Sequence, residues 1–312
     1  MPELPEVETI RRDLDAKLRG ARLRRVEVRL AKIVSPRGLA FERELNGAEI
    51  CSVRRRGKLL IFDMERRSPQ RRLSRRSVRY PHEIKTVQFY GIGQLAMLIH
   101  LKMTGQLVLR HNKQIFFGGH TIAGAKNLPN KYTHVIFYFT NGDRLYFNDL
   151  RQFGYIKLMS LELAADILNC YGLEPLSPEF NFASFSAALK KRKKLKLKSV
   201  LLDQSLFAGI GNIYADEACF RARVRPARRA ASLKINEQMA LWTAIKKVLN
   251  LSIKHRGTSF NAYVDSAGQS GNFVKYLNVY GRGGKPCKVC GTILKKTVLA
   301  GRGTVCCPKC QR

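Results

Sequence analysis

Val7, Ile10, Leu14 and Leu18 recur at helical spacing, with Arg11, Arg12, Asp13 and Asp15 elsewhere on the surface, so residues 6–18 predict an amphipathic helix. Beyond it the period changes. Val26, Val28 and Leu30 alternate with Glu27 and Arg29. Short apolar runs follow at Leu59–Phe62, Leu95–Leu101, Gln106–Leu109, His134–Phe139, Arg144–Phe147 and Tyr155–Met159. Many short strands separated by turn residues predict a sandwich or barrel, with the first helix lying against it. Residues 64–90 interrupt the pattern. Arg66, Arg67, Arg71, Arg72, Arg75, Arg76, Arg79 and Lys85 stand there against Glu65 and Glu83, which reads as a mobile basic loop inserted between strands. After about 160 the period turns helical. Segments 161–170, 183–194, 198–206, 212–221 and 234–254 predict helices, the last with Leu241, Ala244, Ile245, Val248 and Leu249 on one face. Residues 257–284 are glycine-rich and irregular, and no internal repeat is present.

A chain of 312 residues that is 45% hydrophobic holds enough material for two compact domains and a small appendage. Its charge narrows the class of partner. The 57 Lys+Arg against 23 Asp+Glu leave a net charge of +34, which points to a polyanion, most simply nucleic acid, with a membrane surface as the competing reading. No run of 18 apolar residues exists to span a bilayer. The N-terminus is acidic and lacks an apolar signal core, which predicts a cytoplasmic chain that is not secreted.

Cys51, Cys170 and Cys219 are scattered, whereas Cys287, Cys290, Cys306, Cys307 and Cys310 crowd the C-terminus. In a cytoplasmic chain such clustering favours metal over disulfides. The spacing Cys287-x2-Cys290-x16-Cys307-x2-Cys310 forms two knuckles able to present four thiolates tetrahedrally to one Zn²⁺. Cys306 could replace Cys307, but Cys307-Pro308-Lys309-Cys310 makes the tighter knuckle. A four-ligand site is closed, so its zinc is structural. Thr292–Val305 predicts a hairpin whose Lys295, Lys296 and Arg302 present cations to a backbone.

The N-terminus carries candidate chemistry. Pro2 follows Met1, and Glu3 and Glu6 come directly after it. Removal of Met1 leaves a secondary amine, and α-amino groups titrate near about 8, so it is substantially neutral and nucleophilic at neutral pH. Glu3 stands beside it as a proton donor or acceptor. The plainer reading is that Pro2 and Pro5 start a helix with acids in its first turn. Further along, Lys58 in Arg54–Ile61 lies at the mouth of a buried strand, where a lysine can hold a phosphate or assist proton transfer. In Leu201–Glu217 an apolar helix is broken by Gly209 and Gly211 and restarted with Asn212 as N-cap, a helix start suited to phosphate. Upstream, most of Lys190–Lys198 is a solvated basic face, with Lys198 singled out because it directly precedes the apolar helix. His100–Gly105 and Asn148–Gly154 each put a large residue near a turn. Met103 and Phe153 would ordinarily be core; in a protein that opens a duplex they could fill the gap left by an extruded base, with Arg151 pairing to the orphan.

Together these motifs resemble the formamidopyrimidine-DNA glycosylase family of bacterial base-excision repair. Met1-Pro2-Glu3-Leu4-Pro5-Glu6-Val7-Glu8 is similar to its opening almost letter for letter. The resemblance continues in order through Arg56-Gly57-Lys58, His100–Gly105, Asn148–Gly154, Gly172–Leu176, Leu202–Glu217, Tyr276–Gly281 and the cysteine ribbon. It implies an α+β multidomain fold: an N-terminal helix plus β-sandwich domain (1–160), a helix–two-turn–helix DNA-binding domain (161–284) and a zinc-ribbon β-hairpin (285–312). It implies that Pro2 forms a Schiff base with C1′ of the damaged nucleoside. Glu3 then handles the protons, Glu6 supports the site and Lys58 contacts phosphate, before β- and δ-elimination cut the strand. His100, Asn212, Tyr280 and Arg302 match phosphate contacts. Met103, Arg151 and Phe153 match void-filling residues, and Lys198 matches a lysine near the damaged base. Val264–Phe273 matches a mobile loop that closes over the lesion. The implied substrate is double-stranded DNA holding 8-oxoguanine, particularly opposite cytosine, or formamidopyrimidines. The protein is expected to act as a monomer in the bacterial cytoplasm, on the nucleoid.

Three departures stand out: the long basic insertion 64–90, Lys102 where glycine is usual, and Arg223-Val224-Arg225-Pro226, expected to alter only a surface. Two alternatives compete: an endonuclease VIII-like enzyme for oxidised pyrimidines, whose group tends to begin Pro-Glu-Gly-Pro, and a non-catalytic zinc-ribbon DNA-binding protein.

Overall fold

The computed structural model describes residues 1–66, 76–80, 83–87, 93–112, 114–120, 127–258, 263–264 and 272–312, with 76–80, 83–87, 263–264 and His120 described by backbone alone. The chain begins with α1 (Leu4–Leu18), whose predicted apolar stripe of Val7, Ile10, Leu14 and Leu18 is buried. Next come β1 (Leu23–Val28), β2 (Val34–Ser35), α2 (Leu39–Leu45), β3 (Glu49–Arg56) and β4 (Leu59–Glu65). A hairpin of β5 (Arg76–Tyr80) and β6 (Glu83–Val87) follows. The domain is completed by β7 (Gln94–His100), β8 (Gly105–His111), β9 (Gln114–His120), β10 (Thr133–Phe139), β11 (Arg144–Asp149) and β12 (Tyr155–Ser160).

These strands make a sandwich. One sheet runs β2-β12-β7-β4-β3. The other runs β1-β10-β11-β8-β9 and ends in a short strand, β13 (Tyr263–Val264), lent by the C-terminal half. Leu60, Phe62, Met97 and Ile99 of the first sheet meet Leu107, Val135, Phe137 and Leu145 of the second, and the stripe of α1 joins the same core. β4 is apolar on both faces because Leu59 and Ile61 pack the other way, against α3 (Leu161–Asn169). That double burial explains why its apolar residues run without alternation.

The predicted loop at 64–90 needs correction where it is described: 76–80 and 83–87 pair as antiparallel strands. Segments 67–75, 81–82 and 88–90 lie outside the described residues. So do 265–271 of the expected lesion-closing loop, while Phe273 is buried in the helical core.

The second core is built from α4 (Phe182–Lys191), α5 (Leu197–Leu202), α6 (Asn212–Arg221) and α7 (Ile235–Lys254). α5 stops at Leu202, earlier than its apolar pattern predicts. Asp203 leaves the helix, and its carboxylate accepts the Ser205 N–H at 3.0 Å, turning the chain toward the glycines. The N-cap of α6 is Gly211, and Asn212 is its first helical residue, which corrects the expected cap. Leu4, at the start of α1, is buried in this second core, so the N-terminus is held between the two halves.

An ionic clamp fastens the same seam. Arg55 is paired with Glu8 at 3.0 Å and with Glu174 at 2.6 Å, and the other Glu174 oxygen accepts the Gly57 N–H at 2.8 Å. Gly57 has φ +56°, and a Cβ there would lie 3.1 Å from the Gly209 nitrogen. Only glycine turns β3 into β4 this close to the second domain, and the next residue is Lys58.

Candidate active site

α6 organises the site through four buried side-chain contacts. Its first turn offers unpaired N–H groups, and Glu3 takes two: Ile213 N–H at 3.0 Å and Tyr214 N–H at 3.4 Å. One position on, Tyr214 donates its hydroxyl to Glu6 and accepts from Ser252 and Thr258. Glu6 also accepts the Glu3 N–H at 2.9 Å and the Thr258 N–H at 2.8 Å. Burial first, and then the Glu3 charge, push the Glu6 carboxyl above the ordinary carboxylate range, against the pull of these donors. Asp216 accepts the Val305 N–H, and Glu217 gathers the N–H groups of Asn278, Val279 and Tyr280 at 2.8–3.0 Å. The helix thereby fixes both acids, the C-terminal hairpin and the Tyr280 turn.

Two adjoining cavities open over this helix. One, of about 540 Å³, is lined by Pro2, Glu6, Met103, Asn212, Tyr280, Gly303 and Thr304. The other, of about 610 Å³, is lined by Glu3, Lys58, His100 and Arg302 and shares Met103, Asn212 and Tyr280 with the first. Lys58 is buried and donates to the Ile210 carbonyl at 3.0 Å. Burial lowers its pKa, the charges of Glu3 and Glu6 oppose that, and Arg302 and Lys102 reinforce it. His100 is pushed down to about 3 by burial and by the cations Lys102 and Lys58. Its Nδ1 accepts the Lys102 N–H at 2.9 Å, which leaves its proton on Nε2 as a donor. Lys102 holds φ +50°, a conformation in which glycine would be at ease.

The other predicted residues divide. Phe153 is exposed, with the Arg151 guanidinium 4.7 Å from its ring centre. Lys198, the expected lysine near the damaged base, lies inside the protein. It is wholly buried, paired with Asp216 at 2.7 Å, and donates to the Gly303 carbonyl and the Thr304 hydroxyl at 2.8 and 2.9 Å. Its ammonium is spent behind Gly303 and Thr304, which line the first cavity.

The hairpin of β14 (Lys295–Leu299) and β15 (Arg302–Cys306) carries Arg302 out from four gathered cysteines. The sulfurs of Cys287, Cys290, Cys307 and Cys310 lie within 4.8 Å of one another, with Cys287–Cys310 at 3.9 Å and Cys290–Cys307 at 3.5 Å. Four thiolates about 2.3 Å from a tetrahedral Zn²⁺ stand about 3.8 Å apart, so the group fits one structural zinc. Cys306 is outside the cluster. The module is tied down by Arg225, which donates to the carbonyls of Gln311 and Pro308 at 2.9 Å. The Arg223–Pro226 departure therefore touches the zinc module and not merely a surface.

Tyr214, Asp216, Glu217 and Thr258 escaped sequence reasoning. For the first three a signal existed: polar residues stand on faces of α6 that the helical pattern buries.

The residues 1–156 match the model of the formamidopyrimidine-DNA glycosylase N-terminal domain, 171–263 the H2TH domain of that enzyme, and 284–312 the zinc finger found in FPG and IleRS. Formamidopyrimidine-DNA glycosylases of Heliobacterium modesticaldum and Carboxydothermus hydrogenoformans are each 40% identical to this chain, with 100% of both chains covered. A Lactococcus lactis FPG mutant in complex with Fapy-dG-containing DNA superposes with a TM-score of 0.79 at 31% identity, covering 100% of each chain. The Thermus thermophilus Fpg structure gives 0.77 at 35% identity, covering 99% of this chain and 98% of that one. A further Lactococcus lactis structure holds oxidised-pyrimidine-containing DNA. With every part of its length matched in order, this chain belongs to the formamidopyrimidine-DNA glycosylase family.

Proposed function

We propose that Pro2, freed by removal of Met1, is the nucleophile with which this chain excises damaged bases. The chain is a base-excision-repair DNA glycosylase for oxidised purines, and AP lyase activity is typical of its family. The observation that supports Pro2 most strongly is its position: it lines the 540 Å³ cavity beside Glu6, and Glu3 lines the adjoining one.

The secondary amine nitrogen attacks C1′ of an extruded nucleotide and the base leaves as the C1′–N glycosidic bond breaks. Glu3 supplies and removes the protons of base release and sugar-ring opening. Glu6, held by Tyr214 and Thr258, keeps Glu3 in place through its backbone N–H. Loss of a C2′ proton from the iminium expels the 3′ phosphate, and a second elimination expels the 5′ phosphate. Lys58, His100, Asn212, Tyr280 and Arg302 hold the backbone. Met103, Arg151 and Phe153 fill the opened stack, which offsets the few kcal/mol that extrusion costs. Lys198 positions β15 where Gly303 and Thr304 line the cavity. Residues 1–160 supply chemistry and wedge, 161–284 the helix starts that grip phosphate, and 285–312 the zinc-braced Arg302. The protein works as a monomer, in the cytoplasm on the bacterial nucleoid, and prefers 8-oxoguanine opposite cytosine and formamidopyrimidines.

Incision of a duplex panel tests this reading. Cutting at 8-oxoguanine:cytosine and formamidopyrimidine sites with loss of the sugar is expected. Preference for thymine glycol would favour the endonuclease VIII-like reading, and a gel shift without incision would favour the binder.

A further inference from the structure

The residues proposed to enter the stack sit on two separate loops. Leu101–Thr104 joins β7 to β8, and Leu150–Gly154 joins β11 to β12. Each loop crosses from one sheet of the sandwich to the other, since β7 pairs with β12 and β8 with β11. Gly105 is opposite Asp149 in one ladder, and His100 is opposite Tyr155 in the other, so the loops run side by side. A wedge divided over two loops works as a unit only if something fixes their relative position.

Asp149 stands at that junction. It is the last residue of β11 and 0% exposed. One carboxylate oxygen accepts the Thr104 hydroxyl from the first loop and the Arg151 N–H, at 3.2 Å, from the second. The other accepts the Gly154 N–H at 2.7 Å, at the far end of the second loop. Thr104 closes the triangle, because its hydroxyl oxygen also accepts the Arg151 N–H at 3.0 Å. Backbone bonds brace the aspartate: its N–H donates to the Tyr132 carbonyl at 3.0 Å, and its carbonyl accepts from His134 Nε2 at 2.8 Å. A buried carboxylate with both oxygens engaged by loop donors is costly to disturb, because each donor it releases is left unpaired.

We propose that Asp149 is a positioning residue that locks Met103 on one loop and Arg151–Phe153 on the other into a single wedge, and thereby sets the rate of base extrusion. The proposal rests on the reading of Met103, Arg151 and Phe153 as void-filling residues. Asp149, 0% exposed, offers no surface to DNA and acts only through the two loops. Asparagine in its place has one carbonyl oxygen and one amide, so it cannot accept from both ends of the second loop at once.

A double-mutant cycle in the full-length zinc-loaded protein tests the proposal. Single-turnover excision is measured on an 8-oxoguanine:cytosine duplex, with 2-aminopurine beside the lesion reporting unstacking. A single-stranded oligonucleotide bearing an abasic site serves as the substrate with no stack to open. Asp149→Asn is expected to slow both the fluorescence change and duplex excision about tenfold, leaving single-strand cleavage within about twofold of the parent. Phe153→Ala is expected to slow duplex excision in the parent but to add less than about twofold in the Asp149→Asn background. Additive losses, or equal losses on duplex and single strand, would overturn the proposal. If Asp149→Asn fails to fold, Thr104→Val, which removes only the hydroxyl, takes its place with an expected loss of about threefold and the same non-additivity. No effect of Phe153→Ala in the parent would remove the wedge reading itself, a result distinct from additivity.

Discussion

The Glu3 carboxylate accepts the backbone N–H of Ile213 at 3.0 Å, joining residues 210 positions apart at the start of α6. Gly211 makes this approach feasible, because a Cβ there would lie 2.2 Å from the Glu3 carboxyl carbon. Gly211→Ala should therefore displace Glu3 while leaving the zinc module loaded. Base excision is expected to fall at least about 100-fold, the scale of a lost general acid–base group, with DNA affinity and zinc content near those of the parent. Single-turnover incision beside a binding isotherm checks this; undiminished excision would show that Glu3 does not act from this seat.

Phe153 is 54% exposed, so it contributes little to the folded state on its own. Phe153→Ala should leave the melting temperature nearly unchanged, since surface substitutions shift stability by about 0.5 kcal/mol or less. Excision from duplex DNA should nevertheless drop about tenfold, because the opened stack loses its filler. Calorimetry together with duplex cleavage separates the two effects.

His100 carries a pH signature. Its folded pKa, about 3, lies below the ordinary histidine value, so the folded state disfavours its proton. The stability tied to the neutral ring is present above about pH 6.5 and is lost as pH falls toward 3. Replacement by glutamine removes that dependence. Between pH 6.5 and 4.5 the unfolding free energy of His100→Gln should decline less steeply than the parent's, by at most about 1.4 kcal/mol per pH unit. Parallel denaturation curves across this range would contradict the assignment.

Zinc removal tests the hairpin. Cys290→Ser or a strong chelator should release one equivalent of metal and weaken DNA binding at least tenfold, a loss of about 1.4 kcal/mol or more, since Arg302 loses its brace. Hydrogen exchange should find the sandwich strands β4, β7 and β8 still protected, because their core does not involve the cysteines. Loss of protection in those strands would show that the zinc module supports the whole fold.

Sequence pattern reached some parts of this architecture and not others, for physical reasons. The apolar stripe of α1, the extent of α6 and the two cysteine knuckles are local, with period or spacing carrying the information. The strand β3 has no alternation to read, since a register shift between Ile50 and Ser52 sets its buried Ile50 and Val53 three residues apart and arginines follow. The hairpin of β5 and β6 lies in a basic segment whose composition argues against order. Lys198 shows the limit most plainly. Its place in the chain marks it for a site, yet its partners Asp216, Gly303 and Thr304 are brought to it only by folding. The same holds for the hold of Tyr214, Ser252 and Thr258 on Glu6, which no single segment encodes.

The reaction proposed here turns on a covalent bond from the N-terminal secondary amine to deoxyribose. Borohydride trapping on an 8-oxoguanine duplex, followed by proteolysis and mass spectrometry of the adduct, reads it directly. The expected peptide begins at Pro2, lacks Met1 and carries the reduced sugar on its N-terminal nitrogen, and Pro2→Gly with Met1 retained gives no adduct. An adduct mapped to Lys58, or full trapping in protein that keeps Met1, would contradict the account.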